Sequence, residues 1–462
     1  MFRHFKRIYR QYLSLIAARY YGYPAEGLKL IGVTGTSGKS TTTSMLYHIL
    51  KENGFKVGVI STVGAIAGDK EIETGFHVTT PDPVDLQKYL KAMKDEGVEY
   101  VVIESSSHAL DQGRLGFLKF KMAVFTNIKR DHLDYHKNWE EYARAKARLI
   151  DALEDGGTVI FNFDDQRSYK YLNEYILLRQ KLHNQTIEEV EYSVSQNLTE
   201  VEEGKGFVAY KYKSFKFNVP VIGAYNIENS FAAALAAMKL VVTPGKAASA
   251  LESYQGVVGR MEMIKKSPFF VIVDFAHNAD SLERSLDSAR DLLGRKGRLI
   301  TIFGSAGLRD VEKRFAMGEV AGNFSDITII TAEDPRTETV YDINTEIIEG
   351  AESVGAKLVK RFADTEEYNN YIASDKTKIE DKELMKDAGI EEEEPAESVI
   401  YSFDENNVNS RFDAIQFAIR TARAGDVVIT EGKGHEKSLA FGAVEYPFTD
   451  QEAVKKALEK IS

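Results

Sequence analysis

The sequence predicts an α/β protein made of two α/β domains with mostly parallel sheets. Three observations carry that reading. From Lys29 onward, short apolar runs alternate with amphipathic helical patterns, the signature of βαβ units. The first apolar run ends in a glycine-rich loop that opens a helix. The pattern is broken by two glycines at Gly256–Arg260 before a fresh strand begins. In chain order the strand candidates are Leu30–Val33, Val57–Ile60, Tyr100–Glu104, Met122–Thr126 and Val159–Asn162. Phe269–Asp274, Leu299–Phe303, Ile327–Thr331 and Val427–Glu431 follow. Thr41–Asn53 and Pro83–Glu96 are among the helices between them. The expected organisation is an N-terminal extension over 1–28, a first domain over 29–259 and a second over 260–462.

Composition narrows the function classes. The chain has 462 residues, 43% hydrophobic and 28% charged, as in an ordinary globular enzyme. No apolar run approaches the roughly 20 residues that a membrane-spanning helix needs. The start is broken by Arg3, Lys6, Arg7, Arg10 and Arg19, so a signal peptide is not expected and a cytoplasmic location is. Without cysteine there is no disulfide framework, no cysteine zinc site and no thiol nucleophile. The net charge of −11 argues against a nucleic-acid binder. Much of it lies in 375–397, including Glu391–Glu394, which reads as a solvated surface insertion.

The strongest signal is Thr34-Gly35-Thr36-Ser37-Gly38-Lys39-Ser40-Thr41, directly after Leu30-Ile31-Gly32-Val33. A strand, a glycine loop and a helix N-terminus together cradle phosphate: backbone N–H groups and the helix dipole face the anion. Lys39 is placed to touch β- and γ-phosphates and Ser40 to help hold Mg²⁺. The generic loop has Gly six residues before the Lys; here that position is Val33, and Gly35 stands four before it. Downstream, Glu104-Ser105-Ser106-Ser107-His108 ends an apolar strand, where a carboxylate faces the ligand crevice of an open α/β sheet. Asn127 to Asp134 follow the next strand, and Lys146 lies on a helix beyond.

These pieces resemble the Mur ligases, most closely the MurE type, which adds the third amino acid of the peptidoglycan stem peptide. The matching stretches are TGTSGKST (34–41), Thr79-Thr80-Pro81, ESSSHALDQGR (104–114), FTNIKRDHLDYH (125–136) and YARAKARL (142–149). Further on come GAYNIEN (223–229), GVVGRMEMI (256–264), VDFAHNADSL (273–282), FGSAGLRDVEKR (303–314), EDPRTE (333–338) and GKGHE (432–436). The resemblance implies a P-loop central ATP-binding domain and a Rossmann-like C-terminal domain that binds an amino acid. It implies an ATP-dependent ligase that activates a carboxylate as an acyl phosphate, inside a cleft closing between the two domains. ATP would be bound by Gly35, Thr36, Ser37, Gly38, Lys39, Ser40 and Thr41, with Asn226, Asn229, Arg260, Asp274 and His277 around the rest of the nucleotide. Two Mg²⁺ ions would be held by Ser40, Glu104, His132 and Lys146, the last as a carbamate.

Thr79, Thr80, Ser106 and Arg114 match positions that contact the acceptor. Arg309, Glu333, Asp334, Arg336, Gly432 and Glu436 match those that bind the incoming amino acid. Meso-diaminopimelate enzymes carry Asp-Asn-Pro-Arg where this chain has Glu333-Asp334-Pro335-Arg336. Arg336 keeps the guanidinium fork suited to a distal carboxylate, so diaminopimelate is the preferred substrate. Asp334 replaces an amide, which either favours an extra ammonium group or weakens that pocket. About 28 residues precede the first strand, too few for the family's uridine-nucleotide domain. Either a separate protein supplies acceptor recognition or the acceptor is a different muramyl-peptide-like molecule. Residues 1–22 have the spacing of a basic amphipathic helix. The expectation is packing on the ATP-binding domain, the alternative a membrane-surface or partner contact. Two competing readings are a folylpolyglutamate-synthase-like or cyanophycin-type amide ligase, and a nucleotide-binding scaffold without turnover.

Overall fold

The computed structural model describes residues 2–72, 79–293, 297–308, 311–374 and 398–461. Arg309 and the acidic stretch 375–397 lie outside the described residues. The chain falls into two compact units, Met1–Val257 and Val258–Ser462.

The first unit opens with helix α1 (Phe2–Tyr20), then β1 (Lys29–Thr34), α2 (Lys39–Glu52), β2 (Val57–Ser61), β3 (Gly64–Ala67) and β4 (Lys70–Ile72). Next come α3 (Pro83–Asp95), β5 (Tyr100–Glu104), α4 (Ser107–Gln112), β6 (Phe120–Phe125), α5 (Leu133–His136), α6 (Trp139–Asp151) and β7 (Leu153–Asn162). The unit continues with α7 (Gln166–His183), β8 (Ile187–Tyr192), α8 (Val194–Asn197), β9 (Leu198–Gly204), β10 (Phe207–Tyr212), β11 (Phe215–Val219) and α9 (Tyr225–Leu240). Its main sheet runs β4-β3-β2-β5-β1-β6-β7-β8, parallel from β2 to β8, with β3 and β4 joined antiparallel at one edge. β11-β10-β9 form a separate antiparallel sheet.

The central strands are apolar throughout because both faces are covered. In β1, Leu30 enters one core, while Ile31 and Val33 enter the other. In β5, Val101 and Ile103 alternate in the same way with Tyr100 and Val102. On the second of these faces α9 presents Phe231 and a run of buried small residues, Ala232 to Ala234, Ala236 and Ala237, so α2 and α9 pack closely.

The second unit contains β12 (Glu262–Lys265), β13 (Phe270–Val273), β14 (Leu299–Phe303), β15 (Ile327–Ile330), β16 (Lys357–Phe362), β17 (Val399–Phe403) and β18 (Val427–Thr430). They form one sheet in the order β12-β13-β18-β14-β15-β17-β16, parallel except for β12 against β13. A hairpin of β19 (Ser438–Phe441) and β20 (Val444–Pro447) follows. Behind this sheet, Arg411 is fully buried and forks onto both oxygens of Asp450, at 2.7 and 2.6 Å, pinning the last helix (Asp450–Glu459) to the helix Asn409–Thr421.

Candidate active site

In the first unit the adjacent strands β5, β1 and β6 end side by side: Val33 is level with Glu104, and Thr34 with Phe125. The segments leaving these strands share one crest, where open α/β sheets bind ligands. The glycine loop is tied down by the segment after β6. The Asn127 side chain accepts from the Ser37 amide at 3.1 Å and donates to the Ser37 carbonyl at 3.2 Å, while the Thr126 hydroxyl donates to that carbonyl at 2.7 Å. The Tyr142 hydroxyl donates to Thr36 Oγ1 at 3.1 Å. Gly38 caps α2 with φ +81°, and a Cβ there would stand 2.1 Å from Asn229 Oδ1. A side chain is therefore excluded by both backbone and neighbour. Asn229 donates in turn to Asn226 Oδ1 at 2.9 Å, so the structure brings both asparagines to the loop. Lys39 Nζ folds back onto the Thr36 carbonyl at 2.8 Å, and Thr41 lies in the first turn of α2.

Glu104 is buried and accepts twice: from the Ser40 hydroxyl at 3.0 Å and from the Thr62 amide at 3.0 Å. A carboxylate and a hydroxyl oxygen at a helix start are hard donors that suit Mg²⁺. Lys146 is buried beneath the loop, its Nζ 2.5 Å from the Gly35 carbonyl and 4.5 Å from the Tyr142 ring centroid. Burial, aided by the nearby Lys39 charge, holds its pKa well below the usual lysine range; Asp131 and Glu104 oppose the shift. His132 has φ +50° and sits 3.5 Å from Asp131 Oδ2, its ring packed against His108 at 4.8 Å. Among the described residues no three His, Asp or Glu side chains form a ready group for a metal ion. Asp131 and Glu104 nevertheless both lie near enough to Lys146 to act on its charge.

The acceptor positions lie beside Glu104. Thr80 is buried, donates to the Glu104 carbonyl at 2.9 Å and accepts from the Ser106 amide at 3.1 Å. Arg114 donates to the Thr80 carbonyl at 2.9 Å and pairs with Asp82 at 3.4 Å. Thr79 accepts from Thr62 Oγ1 at 3.1 Å.

In the second unit, Asp274 follows β13 and accepts from the Met261 and Ala276 amides at 2.7 and 3.0 Å. The Phe275 ring is covered by the Arg260 guanidinium at 4.5 Å and flanked by the rings of His277 and His435 at 4.9 and 4.8 Å. Around the amino-acid positions, the buried ammonium of Lys433 lies 2.9 Å from Asp334 and 2.5 Å from Glu436. Asp334 Oδ1 also accepts from the Ala440 amide at 2.9 Å. One ammonium is thus shared between the Asp334 and Glu436 carboxylates. Asp334 and Arg336 have φ +45° and +55°, and Arg336 donates to the Gly307 carbonyl at 2.8 Å. Gly432, in the loop after β18, faces Glu333: a Cβ on it would stand 2.1 Å from Glu333 Oε2.

Burial pushes the Glu333 carboxyl up to about 7, with Lys313, Arg411 and Lys433 opposing. Its folded pKa therefore lies above the ordinary 4.5. Between those values the unfolded chain releases this proton first. Stability from this group is complete below pH 4.5, falls as pH rises to 7, and stays lower above that. In urea unfolding across that window the parent is expected to lose about 3 kcal/mol more stability than Glu333→Gln. Parallel pH profiles would contradict it.

Five residues not singled out from the sequence belong to these arrangements: Thr62, Asn127, Tyr142, Phe275 and Lys433. All but Thr62 stand inside motif stretches quoted above, so the signal was present. Thr62 contributes its backbone amide to Glu104 and its hydroxyl to Thr79, and stands in none of those stretches.

A glycine loop on a parallel sheet, with a carboxylate at the neighbouring strand end, defines a P-loop nucleotide-dependent enzyme. Comparison with known proteins takes this further. Residues 33–237 match the Mur ligase middle domain, and residues 259–381 the Mur ligase glutamate ligase domain. UDP-N-acetylmuramoyl-L-alanyl-D-glutamate–2,6-diaminopimelate ligases are similar along almost the whole chain. That of Geobacter metallireducens is 33% identical over 468 residues, covering 97% of this chain and 82% of the relative. That of Aquifex aeolicus is 34% identical over 452 residues, covering 97% and 81%. A solved structure of a ligase of the same name superposes with a TM-score of 0.59 at 26% identity, covering 94% of this chain and 79% of the other. The chain belongs to the Mur ligase family, whose members are ligases that use ATP and Mg²⁺.

Proposed function

We propose that the protein joins an amino acid, preferentially meso-diaminopimelate, to the carboxylate of a muramyl-dipeptide-like acceptor at the expense of ATP. The observation that carries this reading is the crest of the first unit. There the glycine loop, the Ser40–Glu104 pair and the Thr80–Ser106–Arg114 group adjoin one another.

In the reaction an acceptor carboxylate oxygen bonds to the γ-phosphorus as the bond to ADP breaks. The amine nitrogen then attacks the acyl carbon, phosphate leaves and the amine loses a proton. Lys39, released from the Thr36 carbonyl, offsets the repulsion between the two anions. Ser40 and Glu104, with His132 and a carbamate on Lys146, would hold Mg²⁺, which would supply further positive charge at the phosphates. A buried amine kept neutral is the form that captures CO₂. Thr79, Thr80, Ser106 and Arg114 orient the acceptor. Asn226, Asn229, Arg260, Asp274 and His277 surround the nucleotide beyond its phosphates. Arg309, Glu333, Asp334, Arg336, Gly432 and Glu436 hold the amino acid, with Arg336 facing the distal carboxylate. The assigned location is the cytoplasm, and residues 1–22 contribute a surface contact.

Phosphate release with ATP, Mg²⁺ and UDP-N-acetylmuramoyl-L-Ala-D-Glu tests this, with meso-diaminopimelate, L-lysine or L-ornithine added in turn. Release is expected only with both acceptor and diaminopimelate. Equal release with lysine would overturn the amino-acid preference. Silence with every pair, from protein that still binds ATP, would overturn the acceptor.

A further inference from the structure

Helix α1 is docked the wrong way round for an ordinary surface helix. Its inward side is polar or small. Arg10 pairs with Asp82 at 3.5 Å and donates to Gln112. Ser14 and Ala17 are buried, with Ser14 so close to Gly116 that a Cβ there would stand 2.0 Å from its hydroxyl. The apolar side faces outward: Ile8, Tyr9, Tyr12, Leu15, Ile16 and Tyr20 recur at helical spacing and are exposed, from 36% at Ile8 to 81% at Tyr20. Burial of apolar surface therefore does not explain the helix's sequence within this chain, and such a stripe marks an interaction surface.

Charge indicates what covers it. The first 25 residues carry five Lys/Arg and no acid, in a chain whose net charge is −11. Lys6 and Arg19 are exposed on the helix, and Lys94 from α3 reaches the Tyr23 carbonyl at 3.3 Å, placing another exposed cation near the helix's C-terminal end. An apolar stripe rich in tyrosine and bordered by cations fits the interface of an anionic bilayer, where aromatic rings settle at headgroup level. No described helix is long and apolar enough to cross a membrane, so the contact is a peripheral one.

We infer that the outward face of α1 seats the protein on anionic lipid, with the helix lying in the plane of the surface. Asp82 joins Arg10 of this helix to Arg114, so the seated helix is linked directly to the acceptor-binding group.

Flotation of the full chain with phosphatidylcholine vesicles, with and without phosphatidylglycerol, tests the inference without ATP or acceptor present. Its outcome is thus independent of the ligase reading. The parent is expected to float with the anionic vesicles only, and less at high salt. Tyr12→Glu with Ile16→Glu should cut that partition at least about tenfold while ATP binding, which reports intact folding, is unchanged. Equal partition of parent and variant, equal partition into neutral vesicles, or no partition at all would overturn it. So would a parent dimer that this variant dissociates without any lipid binding, which would assign the stripe to a second copy.

Discussion

Lys39→Ala and Glu104→Ala are each expected to lower amino-acid-dependent ADP release by about 10³-fold or more, the scale of removing a charged group from a transferring phosphoryl group. The two act on different atoms. Lys39 lies at the loop, its Nζ donating to the Thr36 carbonyl at 2.8 Å. Glu104 is fixed at both oxygens by Ser40 and the Thr62 amide. Loss of Glu104 therefore releases the Ser40 hydroxyl and the loop after β2 together. Coupled-enzyme assays at saturating ATP read the effect, with nucleotide titration to confirm folding. Turnover within about twofold of the parent in either variant would sink the assignment of this crest to phosphoryl transfer.

The second large effect concerns Lys146. Its ammonium form is disfavoured by burial under the Gly35 carbonyl. The positive charge of Lys39 nearby turns from a penalty into an attraction once the side chain carries a carboxylate. Removing CO₂ from enzyme and buffers is expected to reduce activity, and added bicarbonate to restore it. Lys146→Ala should lose about 10²-fold or more in turnover and ignore bicarbonate. A ¹³C-bicarbonate NMR experiment should show a carbamate resonance in the parent alone. Activity indifferent to CO₂, without that resonance, would leave Lys146 as a loop-supporting amine.

Most strands covered on both faces were legible as unbroken apolar runs, although Val399–Phe403, buried throughout, was not among them. Leu299–Phe303 and Tyr100–Glu104 have the bounds read from sequence. The sheet β9-β10-β11 was not foreseen, because a strand such as Leu198–Gly204 exposes most of its residues and reads as charged chain. β20 is likewise exposed along its length, and β16 alternates basic with apolar residues. Within the site, the glycine loop was legible because its parts are consecutive and its glycines have a steric purpose. The partnership of Asp334 with Lys433 was not, since 99 residues separate them and only the folded sheet makes the charges neighbours.

The crest of the first unit also has a consequence for folding. Its loop, its carboxylate and its anchoring asparagine come from residues 35–40, 104 and 127, joined by three adjacent parallel strands. Nothing local can assemble it: loop closures of some 60 to 90 residues must precede any of its contacts, which slows formation of such sheets. The reverse coupling is useful to the protein. A nucleotide seated on the crest grips three strands at once, so its binding energy opposes opening of the central sheet rather than fraying of one loop. At a hundredfold excess over Kd that protection amounts to about 2.7 kcal/mol. Supply of ATP thereby doubles as maintenance of the fold.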